Sequence, residues 1–160
     1  MGVEVPYFLM RRDLREAIAE PVWPEGLSLA VFSESRAAEA HALLQLAYAD
    51  GGGAVPPFGE WWPRLSADSE YDPAFCFLLE DSGGRAAGFA QCWTTSFIKD
   101  LVVHPRWRRR GVGRALMLHI FRAFQGRGAP ALDIKVHADN PGAVPLYESL
   151  GMARISTGPD

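Results

Sequence analysis

The chain has 160 residues, 48% of them hydrophobic and 22% charged; that balance is enough for one domain with a real core and excludes disordered and collagen-like chains. Lys and Arg number 16 against 19 Asp and Glu, a net charge of -3, so the surface as a whole is not built to hold nucleic acid and any basic function has to be local. No apolar run approaches the roughly 20 residues of a membrane-spanning helix.

From the N-terminus, residues 1–6 (MGVEVP) lack the basic start and apolar run of a signal peptide, and Pro6 breaks the myristoylation pattern. Residues 7–20 place Met10, Leu14, Ala17 and Ile18 at helical spacing, closed by Pro21 and Pro24, which predicts a helix within an N-terminal extension over 1–26. Residues 27–32 (LSLAVF) predict the first main strand. A helix over 33–49 follows, with Ala37, Ala40, Leu43, Leu44 and Ala47 on one face and Ser33 or Ser35 as its cap. Residues 50–57 (DGGGAVPP) are a loop, and 58–65, rich in aromatics around Pro63, a broken helix.

Strands are expected at 75–80 and 86–94, joined by the turn Asp81-Ser82-Gly83-Gly84, and at 97–104, stopped by Pro105. Leu116, Met117, Ile120, Phe121 and Phe124 line one face of a helix over 113–125. A strand at 132–136 and a last helix from Asn140 to Gly151, bent by Pro145, complete a single α/β domain over 1–160 with its core at 27–152. Cys76 and Cys92, far apart and without CxxC spacing, read as reduced buried thiols, and with the missing leader they predict a cytoplasmic protein with no membrane partner. The four histidines are too scattered for a metal motif, so no metal site is expected.

The chemistry concentrates in residues 102–115, VVHPRWRRRGVGRA. A strand ends at a proline, an Arg-rich turn follows, and Gly111 and Gly113 open a helix. Glycines there let a ligand approach the backbone, and the first-turn N–H groups with their partial positive charge suit a pyrophosphate. Arg106, Arg108, Arg109, Arg110 and Arg114 add charge-assisted donors. Neither common phosphate motif fits: Leu116 stands where a dinucleotide fingerprint needs its last Gly, and no GK[ST] follows. A capped helix beside a solvated Arg run is the plainer alternative.

Downstream, Asn140, Ala143, Leu146, Tyr147 and Gly151 recur at a fixed offset from Arg108, Gly111 and Gly113. The two sets together resemble the Arg-x-x-Gly-x-Gly and Asn-x-x-Ala-x-x-Leu-Tyr patterns of the GNAT N-acetyltransferase superfamily, densely over 98–152. The resemblance implies a single-domain GNAT-like α/β (α+β) fold. Its mixed, mostly antiparallel sheet would splay between strands 97–104 and 132–136, with helices on both faces and acetyl-CoA in the gap. The backbone of Leu101, Val102 and Val103 would pair with the pantetheine arm. Arg108, Arg109, Arg110, Gly111, Val112, Gly113 and Arg114 would hold the pyrophosphate, and Asn140 would contact the arm. Tyr147 would protonate the departing CoA thiolate, leaving CoA as product; packing in the core is its alternative role.

Relatives of that family often carry Glu on the splayed strands, where this chain has Lys99 and Lys135. Asp100 is the nearest acid and the candidate base, but strand alternation turns it away from Lys99 and Leu101 unless a bulge intervenes. Asp133, His137 and water are the remaining carriers of the proton. Trp61 and Trp62 either wall an acceptor pocket or pack as a lid. The expected reaction is acetyl transfer from acetyl-CoA to the primary amine of a small molecule, peptide or protein. The rival reading is a regulatory acyl-CoA-binding domain without turnover; specific nucleic-acid binding is not expected. Only residues 152–160 follow the motif, so one strand of the family's sheet is missing, supplied by a second copy in a homodimer, or replaced by residues 1–20.

Overall fold

A computed structural model describes residues 6–49, 51, 53–138 and 140–158. The readings of the first five residues, and of Asp50 and Gly52 in the loop, lie outside them. Seven strands form one sheet: β1 Tyr7–Asp13, β2 Ser28–Ala30, β3 Cys76–Glu80, β4 Ala86–Trp93, β5 Phe97–Val103, β6 Ala131–His137 and β7 Ala153–Gly158. Their spatial order is β2-β3-β4-β5-β6-β1-β7. Every neighbouring pair is antiparallel except β5 and β6. The mixed sheet carries helices α1 Ala37–Tyr48 and α2 Phe58–Ala67 on one face, α3 Val112–Gly126 and α4 Ala143–Ser149 on the other.

Each face has its own core. Ala37, Ala40, Leu44, Trp61 and Leu65 of the first helix pair close over Leu78, Phe89 and Val102. Leu116, Ile120, Phe121, Phe124 and Tyr147 of the second pair close over Met10, Cys92, Ile98, Leu132 and Ile134. The β3–β4 turn forms as its sequence requires, with Asp81 Oδ1 accepting from the N–H groups of Gly83 and Arg85 and with Gly84 left-handed at φ 78°. No helix among the described residues is long and apolar enough to cross a membrane.

The N-terminal helix expected over 7–20 does not form. Residues 7–13 are instead β1, slotted between β6 and β7, and the residues after Gly151 form a strand of their own, β7. The alternation is Phe8, Met10 and Arg12 toward α3, and Tyr7, Leu9 and Arg11 away from it. It is disguised in sequence because its third inward residue is an arginine. Arg12 is 8% exposed; its guanidinium donates to the carbonyls of Asp13 at 2.7 Å and Leu150 at 3.1 Å and lies over the Phe121 ring. Leu14 and Ile18 are buried although their segment is irregular, which explains the helical spacing. Gln125 and Arg122 of α3 hold that segment by donating to the carbonyls of Leu14, Glu16 and Ile18.

Both helix-interior prolines are tolerated. Pro63 leaves α2 continuous rather than broken. Because α4 begins only at Ala143, Pro145 falls in its first turn, where an N–H has no intrahelical acceptor to lose. The helix is therefore shorter than expected, and Asn140 precedes it. Neither Ser33 nor Ser35 caps α1; they bond each other at 2.8 Å, and a 3-10 turn over Glu34–Arg36 leads into the helix.

Arg12→Ala removes bonds from a charged donor to carbonyls near both ends of the domain. It is expected to lower folding stability by about 2–4 kcal/mol, measured as a shift of the urea midpoint at constant slope.

Candidate active site in the cleft between β5 and β6

The strands β5 and β6 pair only at Phe97 with Asp133 and Ile98 with Ile134. Beyond Ile98 they part. On its other side β5 remains paired to β4, with a register shift: Gln91 faces Asp100 while Cys92 faces Ile98. Lys99 is thus an extra residue, a β-bulge at the point of parting. It puts Ile98, Leu101 and Val103 against the core under α3 and turns Asp100 and Val102 toward α1.

The parted strands open a cavity of about 630 Å³. Residues 99–103 of β5 form one wall and 134–137 of β6 the other. The C-terminal end of α1 with Gly51, Gly53 and Ala54 closes one end; Arg108, Asn140, Ala143 and Tyr147 line the remainder. Asp100 is its single carboxylate among the described residues, facing Lys99, Lys135, Arg108 and His137. Asp100 Oδ1 accepts from the Tyr48 hydroxyl at 2.5 Å, and Oδ2 meets Lys99 Nζ at 3.2 Å.

Of the residues singled out in sequence, Asp100, Leu101, Val102, Val103, Arg108, Asn140 and Tyr147 line this one cavity. Arg109, Arg110, Gly111, Val112, Gly113 and Arg114 do not; they continue from Arg108 as the turn and first residues of α3. Arg109 and Gly111 are left-handed there, at φ 62° and 81°. Gly111 is the N-cap, and the first intrahelical bond runs from the Ala115 N–H to its carbonyl, leaving the amides of Val112, Gly113 and Arg114 without helical acceptors. A Cβ on Gly111 would touch nothing within 4 Å, and one on Gly113 only Leu146 at 3.8 Å. The side chain of Val112 is in the core, so only its backbone belongs to this surface. Arg110 lies over the Trp107 ring, and no carboxylate among the described residues pairs with Arg108, Arg109, Arg110 or Arg114.

Asn140 Oδ1 accepts from the N–H groups of Gly142 and Ala143 at 3.3 and 3.1 Å, fixing the entry to α4. The weaker base candidates separate: Asp133 is held by Arg11 in a two-pronged pair at 2.7 and 2.9 Å and does not line the cavity, whereas His137 lines it and packs on the Tyr7 ring. Trp61 is buried in the core under α1 and Trp62 packs on Phe32 and Tyr71; neither reaches the cavity. His104 shapes its turn, Nδ1 accepting from the Arg106 N–H at 3.1 Å. His119 is half-buried between Trp23 and Phe77, and its pKa is lowered by burial.

Residues 30–152 match the family model described as the Acetyltransferase (GNAT) family. The chain belongs to this family. It is 34% identical over 162 residues to a mycothiol acetyltransferase of Thermobispora bispora, covering 91% of this chain and 52% of the relative. It is also 34% identical over 97 residues to the [ribosomal protein bS18]-alanine N-acetyltransferase of Escherichia coli K12, covering 57% of this chain and 63% of the relative. In structure it superposes on a GCN5-related N-acetyltransferase from Sphaerobacter thermophilus with a TM-score of 0.83 at 22% identity, covering 96% of this chain and 50% of the other. The chain thus spans about half to two thirds of the length of these relatives.

In this GNAT chain Tyr147 is 7% exposed. Its hydroxyl has no hydrogen-bond partner among the described residues, and burial pushes its pKa up to about 12. Tyr48 is displaced upward as well, by burial first and then by the Asp100 carboxylate. Tyr48 is the site residue that sequence reasoning missed. The signal was present: it lies four residues beyond Leu44 and eight beyond Ala40 on the buried face of α1, directly after Ala47, where the apolar pattern ended.

An unfolded tyrosine ionises near pH 10. Between there and about pH 12 the folded chain keeps a proton on Tyr147 that the unfolded chain has shed. The stability of the neutral buried phenol is therefore complete below pH 10 and is lost as pH rises through 12. Urea midpoints should hold from neutral pH to about 9.5 and then fall, and Tyr147→Phe should flatten that fall without abolishing it, since Tyr48 contributes in the same direction.

Proposed function

We propose that the chain is an acetyl-CoA-dependent N-acetyltransferase that joins the acetyl group to a primary amine by direct attack on the thioester. The observation that carries this reading is the parted β5–β6 cleft, with the unpartnered hydroxyl of Tyr147 and the carboxylate of Asp100 in the same cavity. The cleft fits the donor: β5 offers an unpaired backbone edge at 101–103, and the α3 entrance offers amides without helical acceptors, room above Gly111 and Gly113, and arginines without carboxylate partners among the described residues. Bound acetyl-CoA supplies an acetyl thioester, and the chain's own groups do the rest.

Leu101, Val102 and Val103 hold the extended arm by backbone bonds, and the amides of 112–114 with Arg108 and its neighbours hold the pyrophosphate. Asn140, its oxygen occupied, presents its amide nitrogen to the arm. Asp100 takes the acceptor as an ammonium and receives the proton it must shed, passing that proton to solvent. The nitrogen then bonds to the acetyl carbon as the C–S bond breaks. Tyr147 gives its proton to the sulfur and recovers one from the nitrogen through solvent, so the products are an amide and a free CoA thiol. A phenol kept neutral by burial is a proton donor through this step. The named relatives support acetyl transfer, and the acceptor class stays with the chemistry: a primary amine on a small molecule, peptide or protein.

Thiol release from acetyl-CoA across a panel of amines tests the reading. With an accepted amine, Tyr147→Phe should lower kcat by about a hundredfold to ten-thousandfold while acetyl-CoA affinity in calorimetry holds, the mark of an interaction made in the transition state. A parent protein that binds acetyl-CoA yet releases no thiol with any amine would make it a binding module instead.

Gly113→Val fills the space above the first turn of α3 with methyl groups while keeping a helical backbone. It should remain folded by circular dichroism and lose most acetyl-CoA binding; unchanged affinity would move the pyrophosphate site elsewhere.

A further inference from the structure

Asp100 is held from two sides. Tyr48, the last residue of α1, donates its hydroxyl to Oδ1 at 2.5 Å, and Lys99 places Nζ 3.2 Å from Oδ2. The two partners differ in kind. Tyr48 is a neutral donor that burial keeps from ionising, carried on a helix. Lys99 sits at the bulge with its side chain 41% exposed, against 11% for Asp100. An ammonium that exposed is easily exchanged for another, because solvent screens its pairing.

The ring of Tyr48 is kept in place by an unusual neighbour. A Cβ on Gly53 would stand 2.8 Å from its Cε1 and 3.0 Å from Cδ1 and Cζ. The loop backbone therefore lies close against the Cδ1–Cε1 side of the ring, an approach at which a larger residue would force something to shift. Beside the ring is a second hollow of about 220 Å³, lined by Gln45, Tyr48, Gly53, Ala54 and Val55. With open space there and in the main cavity, the hydroxyl bond and the Gly53 contact, more than close packing, fix where the phenol points.

We infer that Oδ2 of Asp100 is the docking point for the acceptor's ammonium, that the Lys99 ammonium occupies it until the acceptor displaces it, and that Tyr48 is a positioning residue which, by holding Oδ1 under Gly53, leaves only Oδ2 for the amine. The inference rests on the N-acetyltransferase reading above. Lys99 is then an internal image of the substrate: a primary ammonium on an unbranched, flexible stem. It also gives a reason for lysine at a position where a carboxylate would otherwise be expected. Lys135 and Arg108, which also line the cavity, are cations and offer the ammonium no second anchor.

Kinetics with an accepted amine, acetyl-CoA calorimetry and thermal melts on four variants and one double variant test this. Asp100→Asn should raise the amine KM most. Tyr48→Phe, which removes one hydroxyl and keeps the ring, should raise the amine KM roughly three- to tenfold, with kcat changed less and acetyl-CoA affinity unchanged. In the Asp100→Asn background the same change should add nothing, because Tyr48 acts through Asp100. Lys99→Met should lower the amine KM by removing the competing ammonium. Gly53→Ala, which keeps the phenol and crowds its ring, should follow Tyr48→Phe and provides the same test if that variant folds poorly. Independent, additive losses, or a Lys99→Met variant with a raised amine KM, would overturn the inference and leave the acetyltransferase reading intact. Absence of thiol release by the parent with every amine would defeat the reading itself.

Discussion

One inserted residue organises the site. At Lys99 strand β5 carries a residue that β4 does not match, immediately after Ile98, its last residue paired to β6. A bulge sharpens local twist and re-aims side chains; here it coincides with the end of the parallel ladder and swings Asp100 to the α1 side. Beyond it, β5 presents to the cleft a row of backbone donors and acceptors that the sheet does not use, and buried backbone groups of that kind require a partner. The sheet is therefore left unfinished where an extended ligand can finish it. The cavity, the wall of usable backbone and the position of the carboxylate all follow from the same local irregularity.

Charge is sorted along the cleft. One end is the Arg108–Arg114 turn, where cations without a carboxylate partner among the described residues and helix amides favour an anion; toward the α1 end stands Asp100, the single carboxylate lining the cavity among the described residues. In the proposed reaction this separates an anionic donor from a cationic acceptor before they meet near Tyr147. Burial favours the neutral form of both phenols that line the cleft, so in the proposed reaction each would act by donating a hydrogen bond or a proton rather than by carrying charge. The thiols play no part. Burial holds Cys76 up to about 12 and Cys92 well above the ordinary range, which leaves both unreactive.

The half of the chain from residue 97 onward was legible because its signals are local. Gly111 and Gly113 mark a backbone conformation, the periodic apolar face of α3 is uninterrupted, and Asn140 and Tyr147 are close in sequence, the first just before α4 and the second on it. The exceptions were set by partners distant in sequence. Strand β1 looked helical because Arg12 occupies an inward position made tolerable by carbonyls, those of Asp13 and Leu150 first among them, that sequence spacing does not reveal. The facing of Asp100 was undetermined because a bulge is a property of two strands' pairing and leaves no trace in one of them. Tyr48 was legible as part of the buried face of α1, and what made it a site residue was Asp100, 52 positions away. Strand β7, exposed along most of its length, has no apolar alternation to announce it.

The place of β1 in the sheet also sets an order of events at the ribosome. Both of its neighbours, β6 and β7, lie more than a hundred residues downstream; the Arg11–Asp133 pair alone spans 122. The strand synthesised first is thus the last to find its neighbours, and it waits with both edges open while the β3–β4–β5 meander assembles from contacts close in sequence. Until residues 131–158 emerge, both edges of β1 lack the strands they pair with. That is the interval in which a nascent chain of this topology is most exposed to wrong strand pairing.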